Sequence, residues 1–268
     1  MESTHPALGD SHRPAKERET SSDPNPSALG TKILPGELSS DPHVNGEYLR
    51  HNRDWHVGSA AWKAQEIMKM VNRHHLTPNV VGDVGCGAGE VLRLMQLQMD
   101  PSCQFYGYDI SPQAIAMSKE RENERLHFQV ANVCETNTPY FDLMLVIEVV
   151  DHVEDYFGFL RALKKKSEWK LFHFSLDLSV QHALRKGSFL KLRDTLVHLH
   201  AFNKETMLRT LHDTGYEVVD MFYTPFGIQF SRRGMGRIVK PFRWLLFQMD
   251  QDFAVRLLGG YRLMVLAK

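Results

Sequence analysis

The chain has 268 residues, of which 43% are hydrophobic and 24% charged, and its formal net charge is +0. This composition indicates a globular protein with a proper core, and the balanced charge argues against a nucleic-acid partner, which normally shows as a basic excess. The three cysteines lack CxxC spacing and no apolar run is long enough to cross a bilayer, so we expect a cytoplasmic protein with no disulfide framework, no metal site and no transmembrane segment.

The first 46 residues differ in composition from the rest of the chain. No Phe, Trp or Tyr occurs before Tyr48, and six of the twelve prolines lie in this stretch. Such low hydrophobicity predicts a disordered tail over residues 1–46, followed by one domain over residues 47–268. At the start of this domain, Ser59 is expected to cap a helix whose buried face carries Ala60, Ala64, Ile67 and Val71.

Strands and helices then alternate. The apolar runs predict strands over residues 79–85, 104–110, 126–132, 141–148, 169–176, 216–223 and 261–268, and the helical patterns cover residues 90–99, 111–123, 156–164 and 204–214. This alternation predicts an α/β fold with a mostly parallel sheet covered on both faces. Two longer stretches, residues 177–201 and 224–260, are predicted as helical insertions that form a substrate cap.

Three glycines follow the first strand directly. Gly85, Gly87 and Gly89 allow a tight turn with positive φ angles, and we expect them to leave backbone N–H groups open to a ligand. The second strand ends in Asp109, some twenty residues later, where a carboxylate can accept hydrogen bonds from the hydroxyls of a ribose. Loop and acid together predict a cofactor that contains a nucleoside.

The spacing of the loop helps to choose that cofactor. The sequence G-C-G-A-G differs from the G-x-G-x-x-G pattern expected for a dinucleotide, and Asp83 precedes it within the strand. A carboxylate there would repel a pyrophosphate and attract an ammonium group. S-adenosylmethionine carries an ammonium and a sulfonium but no phosphate. The residues therefore favour S-adenosylmethionine, with a nicotinamide-dependent oxidoreductase as the alternative.

Four segments resemble the class I S-adenosylmethionine-dependent methyltransferases: "VGDVGCGAG", "YGYDIS", "FQVAN" and "FDLMLVIEVVDHVED". The nearest resemblance is to small-molecule enzymes of the ubiquinone-biosynthesis O-methyltransferase type, and it runs from about Ala60 to the C-terminus. It implies a Rossmann-like three-layer sandwich of seven strands with an antiparallel last strand. It also implies an enzyme that methylates a small-molecule acceptor.

The resemblance further implies which residues hold the cofactor. Asp83 and the loop would bind the methionine part, Asp109 the ribose and Ile110 the adenine, while Asn132 stands where relatives have an aspartate. Relatives also often have Asp and then Glu-His after the fourth strand, where this chain has Glu148 and then Asp151-His152. These two departures keep open a catalytically silent scaffold or regulatory partner. The full expected set is Asp83, Gly85, Cys86, Gly87, Gly89, Asp109, Ile110, Asn132, Val133 and Glu148.

Histidines suggest where the acceptor would react. A hydroxyl acceptor must lose its proton, and a histidine removes protons well near neutral pH. His152 lies just after the fourth strand and is the first candidate base, and His200, close to His198, is the second. A purely structural role for each of these histidines stays open at this point.

Two further segments are expected to shape the site. Residues 48–62 are predicted to form a lid in which Tyr48 and Trp55 present aromatic faces to the sulfonium or to the acceptor. Residues 232–247 mix basic with apolar side chains, which fits either a helical cap over the acceptor or a peripheral membrane contact.

Overall fold

A computed structural model describes residues 41–226 and 240–268 of the chain. These residues contain a seven-stranded sheet of order β3-β2-β1-β4-β5-β7-β6, in which β1 to β5 pair in parallel and β7 is antiparallel to both β5 and β6. The predicted mostly parallel α/β sheet with an antiparallel last strand is confirmed. The strands are β1 (Val80–Val84), β2 (Gln104–Asp109), β3 (Leu126–Val130), β4 (Phe141–Ile147), β5 (Ser167–Ser175), β6 (Val218–Thr224) and β7 (Arg262–Ala267).

The described residues also form ten α-helices and one short 3-10 helix, Val150–His152, directly after β4. None of these helices is both long and apolar enough to cross a bilayer. The α-helices are α1 (Glu47–His51), α2 (Val57–Arg73), α3 (Glu90–Gln96), α4 (Pro112–Lys119), α5 (Tyr156–Lys164), α6 (Val180–Leu184), α7 (Ser188–Leu196), α8 (Lys204–Asp213), α9 (Lys240–Met249) and α10 (Gln251–Leu258).

The core lies on both faces of the sheet. Because side chains alternate along a strand, β4 sends Leu143 and Leu145 into one layer and Met144 and Val146 into the other. The first layer packs against α2, α3 and α4, and the second packs against α5, α8 and α10. This double cover explains why β4 is apolar along almost its whole length. It also leaves the carboxyl ends of the parallel strands as the edge where polar chemistry can be placed.

The start of α2 differs from the prediction. Helix α2 begins at Val57, so Ser59 lies inside its first turn and does not cap it; its hydroxyl donates to the carbonyl of His56. Trp55 and His56, with φ angles of 44° and 61°, hold the chain in a left-handed turn before the helix. The expected buried face of Ala60, Ala64, Ile67 and Val71 is confirmed.

The predicted tail lies almost entirely outside the described residues, which begin at Asp41. Residues 41–46 form a turn in which the N–H groups of Val44 and Asn45 donate to the carbonyl of Asp41. The stretch predicted as the first insertion contains α6 and α7, and the described part of the second contains α9 and α10. Residues 227–239, which include the first half of the basic segment 232–247, lie outside the described residues.

Candidate active site

The glycine loop joins β1 to α3 at the carboxyl edge of the sheet. Gly85, Gly87 and Gly89 have φ angles of 71°, 54° and 75°, so all three need the left-handed conformation that glycine adopts without strain. A Cβ atom on Gly85 would lie 2.6 Å from the side chain of Val149, and one on Gly89 would clash with Phe128. Packing therefore requires glycine at both of these positions.

Gly87 differs from the other two glycines because there is free space where its Cβ atom would be. A Cβ atom there would meet only Trp55, at 3.8 Å or more, which is ordinary contact. The backbone of Gly87 is therefore the part of the loop that a ligand can approach closely.

The N–H groups of the three glycines and of Cys86 are all paired within the protein, so the expectation that the glycines would leave theirs open to a ligand is wrong. Those of Gly85 and Cys86 both donate to the carbonyl of Tyr108 on the neighbouring strand, at 2.8 and 3.0 Å. The N–H of Gly89 donates back to the carbonyl of Cys86. The acidic side chains beside the loop, its carbonyl oxygens and its shape are therefore the main features that can recognise a ligand here.

Asp83 is the acidic side chain nearest the loop, and it is buried near the end of β1. Its Oδ1 atom has no hydrogen-bond partner among the described residues. Burial, with a smaller contribution from the charge of Asp109, raises the pKa of this carboxyl to about 8. A buried acid without a partner is costly, so this position is suited to a cationic ligand that would pair with it.

Asp109 closes the other side of the loop. One of its carboxylate oxygens accepts the N–H of Gly87 at 2.9 Å, and the other accepts the N–H of Ser111 at 2.8 Å. Each oxygen has a second lone pair, so both can still accept a hydroxyl. Burial raises the pKa of Asp109, which these backbone hydrogen bonds partly oppose.

The remaining residues expected around an adenine lie at the ends of β2 and β3. Ile110 is half-buried, and Val133 is buried in the core. The amide oxygen of Asn132 accepts the N–H of Cys134 at 3.1 Å, and its amide nitrogen donates to Glu135 at 2.8 Å. The oxygen of Asn132 thus keeps one lone pair for a ligand.

Glu148 directly follows β4 and is the centre of a buried ion network. Lys63 Nζ lies 2.9 Å from its Oε2, and Arg262 Nε lies 2.6 Å from its Oε1. Burial alone would raise the pKa of Glu148, but the charges of Arg262 and Lys63, helped by His173, hold it well below its ordinary value. The φ angle of Glu148 is 57°, an unusual conformation for a residue with a side chain, and such strain is concentrated at functional sites.

Four polar residues form a cluster beside Glu148, which we call the histidine cluster: Asp151, His152, Asp177 and His198. His198 Nδ1 lies 2.7 Å from Asp177 Oδ2, and its Nε2 lies 3.1 Å from Asp151 Oδ2. Burial lowers the pKa of His198, but the two carboxylates outweigh that effect and the net pKa is raised. Burial lowers the pKa of His152 to about 4, so its imidazole is neutral at pH 7.

His200 lies next to the cluster but is turned away from it. Its Nε2 donates to the carbonyls of Val153 and Glu154, at 3.0 and 3.2 Å, and its ring packs against Tyr156. The structure therefore brings His152 and His198 together and uses one nitrogen of His200 to hold the loop after β4.

Residues 50–221 match the family model of a methyltransferase domain, which is more than half of the chain. The chain belongs to the class I S-adenosylmethionine-dependent methyltransferases. This match confirms the predicted enzyme class and cofactor. It gives no support to the alternative of a nicotinamide-dependent oxidoreductase. No curated protein matches the sequence.

Solved structures share the fold of this methyltransferase at low identity. The plantazolicin methyltransferase BamL, bound to a triazolic desmethylplantazolicin analogue and S-adenosylhomocysteine, is 15% identical with a TM-score of 0.56, over 86% of this chain and 92% of that one. Phosphoethanolamine N-methyltransferase 2 of Haemonchus contortus is 16% identical with a TM-score of 0.54, over 76% and 52% of the two chains. Magnesium protoporphyrin IX methyltransferase of Synechocystis PCC 6803 is 12% identical with a TM-score of 0.50, over 77% and 82%.

The site of this methyltransferase fits its cofactor. The unpaired Asp83 suits the ammonium group, and Asp109 retains lone pairs for the ribose hydroxyls. The open backbone of Gly87 suits a ligand that lies flat on the loop. Glu148, in contrast, is already paired with Lys63 and Arg262, so its carboxylate lines the site without a free charge to offer the ligand.

A cover segment, residues 41–56, lies over this site. The ring of Tyr48 is buried, lies 4.9 Å from the ring of Trp55, and reaches His56 Nε2 with its hydroxyl at 2.8 Å. The ring of His43 lies 4.7 Å from that of Tyr48 and 5.0 Å from that of His152. The two aromatic residues predicted in a lid thus lie between the glycine loop and the histidine cluster.

Sequence reasoning missed several residues of the site. Lys63, Asp177 and Arg262 come from α2, the end of β5 and β7, and only the assembled sheet brings them to Glu148 and His198. The only sequence signal was weak: Asp177 lies two residues after the apolar strand β5, much as Asp109 lies at the end of β2. No local pattern marks Lys63 or Arg262.

Proposed function

We propose that this methyltransferase acts on a small molecule and methylates it at oxygen, as the resemblance to the ubiquinone-biosynthesis O-methyltransferases implies. When bound, S-adenosylmethionine supplies an electrophilic methyl group. A hydroxyl becomes a good nucleophile only as its proton leaves, whereas an amine or a carboxylate needs less help. The observation that carries the proposal is therefore a neutral, oriented imidazole at the acceptor edge, that of His152.

The orientation of His152 follows from its hydrogen bond. Its Nδ1 lies 3.2 Å from the carbonyl of Val197, and because a carbonyl can only accept, the proton is on Nδ1. The lone pair of Nε2 is then free to accept a proton or to bind an electrophile. Burial keeps the ring neutral by lowering the pKa of His152 to about 4. We assign His152 as the first candidate base and His200 as the second.

A cleft lined in part by Tyr48 and Val197, which both lie beside His152, is the candidate entrance for the acceptor. It has a volume of about 230 Å³, lies between the cover segment and α7, and is lined by residues that include Tyr48, His51, Arg193, Val197 and Leu199. Tyr48 also lies beside Trp55, and Trp55 lies over Gly87. Tyr48 and Trp55 thus lie between the cleft and the glycine loop, and the size of the cleft favours a small acceptor over a protein or nucleic acid.

The two insertions favour an acceptor that is mainly apolar. Large apolar side chains are exposed on α6 and α7, including Leu184 and Leu190, and on α9, where Phe242, Trp244 and Leu245 are each more than half exposed. Contiguous exposed apolar surface often marks a site for an apolar ligand or a membrane. We propose that this surface receives a lipid-like acceptor, with peripheral membrane contact through residues 232–247.

An acceptor screen with S-adenosylhomocysteine formation as its readout tests the proposal. Phenols and other hydroxyl compounds should turn over, and amines and carboxylic acids should not. His152→Ala should lower the rate by about a hundredfold or more, the usual scale for a general base, with cofactor affinity unchanged. His127→Ala, an exposed histidine on β3, is the matched control and should keep the wild-type rate.

Two results would contradict the proposal. Turnover confined to amines would exclude oxygen as the target, and near-full rates in both His152→Ala and His200→Ala would exclude histidine as the base. Absence of S-adenosylhomocysteine with every acceptor, although the cofactor binds, would favour the silent scaffold.

A further inference from the structure

The histidine cluster has a geometry that proton transfer alone does not require. Asp151, His152 and His198 each offer one ligand atom, and these three atoms all lie within 4.8 Å of one another. Two of the residues follow β4, whereas His198 comes from the loop after α7. Side chains from separate elements thus meet at one partly buried point.

The outer nitrogens of both imidazoles are already occupied. His152 donates its Nδ1 proton to the carbonyl of Val197, and His198 donates its Nδ1 proton to Asp177 Oδ2 at 2.7 Å. Histidines that bind metals almost always carry such a hydrogen bond to a carbonyl or carboxylate on the far nitrogen. Both Nε2 lone pairs are thereby directed away from these partners.

Asp151 supplies the third, independent observation. Its side chain is 3% exposed, and its Oδ2 atom has no hydrogen-bond partner in the described part of the chain. His198 Nε2 lies 3.1 Å from this oxygen, but the two groups do not have the orientation of a hydrogen bond. A carboxylate oxygen and an imidazole nitrogen this close repel each other unless a positive charge lies between them, and either a proton on His198 or a bound cation supplies that charge.

The backbone holds the cluster in place. The carbonyl of Asp151 accepts the N–H of Leu199 at 2.8 Å and that of His200 at 3.3 Å, which fastens the loop of His198 to the end of β4. Val197, next to His198, has a φ angle of 59°, a genuine outlier for a β-branched residue. Such strain persists only where the surrounding structure imposes it, and it is concentrated at ligand sites.

We propose that Asp151, His152 and His198 bind a divalent transition-metal cation, with Asp177 and the Val197 carbonyl orienting the two imidazoles. Two imidazoles and one carboxylate suit Zn²⁺ or Fe²⁺ and not Mg²⁺ or Ca²⁺, which prefer oxygen ligands. Ligands of a tetrahedral Zn²⁺ lie roughly 3.4 Å apart, so the cation would draw the most distant pair together by a small side-chain rotation.

Three protein ligands leave at least one position open on the cation. An acceptor hydroxyl that took this position would have a lowered pKa, and its proton would leave to water. His152 would then act as a ligand and not as the base. The binding site itself goes beyond the proposed function and does not depend on the identity of the acceptor.

The test measures metal binding directly, without turnover. The full chain is stripped with a chelator, dialysed and titrated with Co²⁺, a spectroscopic stand-in for Zn²⁺. The expected result is one equivalent bound, visible absorption typical of nitrogen and oxygen ligands, and displacement by one equivalent of Zn²⁺. A folded wild-type protein that binds no Co²⁺ or Zn²⁺ stoichiometrically overturns the proposal, whatever the variants do.

Variants then locate the cation. His198→Ala should weaken binding by on the order of a hundredfold or more, and Asp177→Asn by roughly ten- to a hundredfold, because Asp177 orients a ligand without touching the cation. His127→Ala, far from the cluster on β3, should bind as the wild type does. If His198→Ala does not fold, as judged by circular dichroism, His152→Ala takes its place. Unchanged affinity in the folded cluster variants would show that the bound cation lies elsewhere and would overturn the assignment.

Discussion

The buried carboxyl of Asp83 should make cofactor binding strongly dependent on pH. Without ligand its pKa is raised to about 8, chiefly by burial, so roughly 1% of the protein carries an ionised Asp83 at pH 6 and roughly 9% at pH 7. The ammonium group of the cofactor pairs only with the ionised form. Binding must therefore release a proton, and the Kd should fall about ninefold from pH 6 to pH 7.

Isothermal titration calorimetry of S-adenosylmethionine, in two buffers that differ in ionisation enthalpy, measures both quantities. We expect close to one proton released per site at pH 6 and the ninefold change in Kd. Asp83→Asn should abolish both, whereas Asp220→Asn, which removes a surface pair with Arg73, should keep them. A wild-type Kd that is equal at the two pH values, without proton release, would refute the assignment of Asp83.

Three further predictions concern the same edge of the sheet. Gly87→Val should weaken cofactor binding in calorimetry by at least tenfold, because the side chain would fill the space above the loop. Gly187→Val controls for backbone strain, since Gly187 has a similar φ of 72° and nothing lies within 4 Å of its Cβ position; this variant should bind the cofactor normally. Glu148→Gln should lower the free energy of unfolding in urea by roughly 3–5 kcal/mol, because it leaves the buried charges of Lys63 and Arg262 without a carboxylate. Glu205→Gln, which removes an exposed pair with Arg256, should lower it by less than about 1 kcal/mol. Because the pKa of Asp83 is raised, the cofactor-free protein loses stability as the pH rises from the ordinary 3.8 through about 8. Asp83→Asn removes this loss and should raise the Tm at pH 8 by roughly 10 °C, once the cost of burying the amide is subtracted.

Most of the fold was predictable because its signals are local. The apolar run after Asn79 and the three glycines place β1 and its turn, and the helix over residues 156–164 has the predicted bounds, with Asp155 as its cap. The start of α2 was not predictable in the same way. Ser59 precedes the apolar pattern and looks like a cap, but the helix begins earlier, where the hydrogen bond between Tyr48 and His56 fixes the chain.

In the candidate site, too, the residues with a local sequence signal were predicted and the contacts between distant elements were not. Asp83 and Asp109 are visible because each lies at the end of an apolar strand. The pairing of the Gly85 and Cys86 N–H groups was not predictable, because both donate to the carbonyl of Tyr108 on the neighbouring strand, and that contact depends on how β1 and β2 align. The histidine cluster was not predicted for a similar reason. Ligand spacing along a sequence reveals ligands on one element, whereas Asp151 and His152 follow β4 and His198 lies in the loop after α7.

The position of β7 has a consequence for how the protein folds. This strand follows all the other elements described here, yet it lies between β5 and β6 and is the sheet neighbour that joins them. On the ribosome, β6 must therefore wait with unpaired backbone groups until residues 262–267 emerge. Pairings over such sequence distances form slowly, and exposed strand edges attract other chains meanwhile. We expect folding yield to depend on chaperones in this interval, and substitutions in β7 to reduce that yield more than their effect on final stability would suggest.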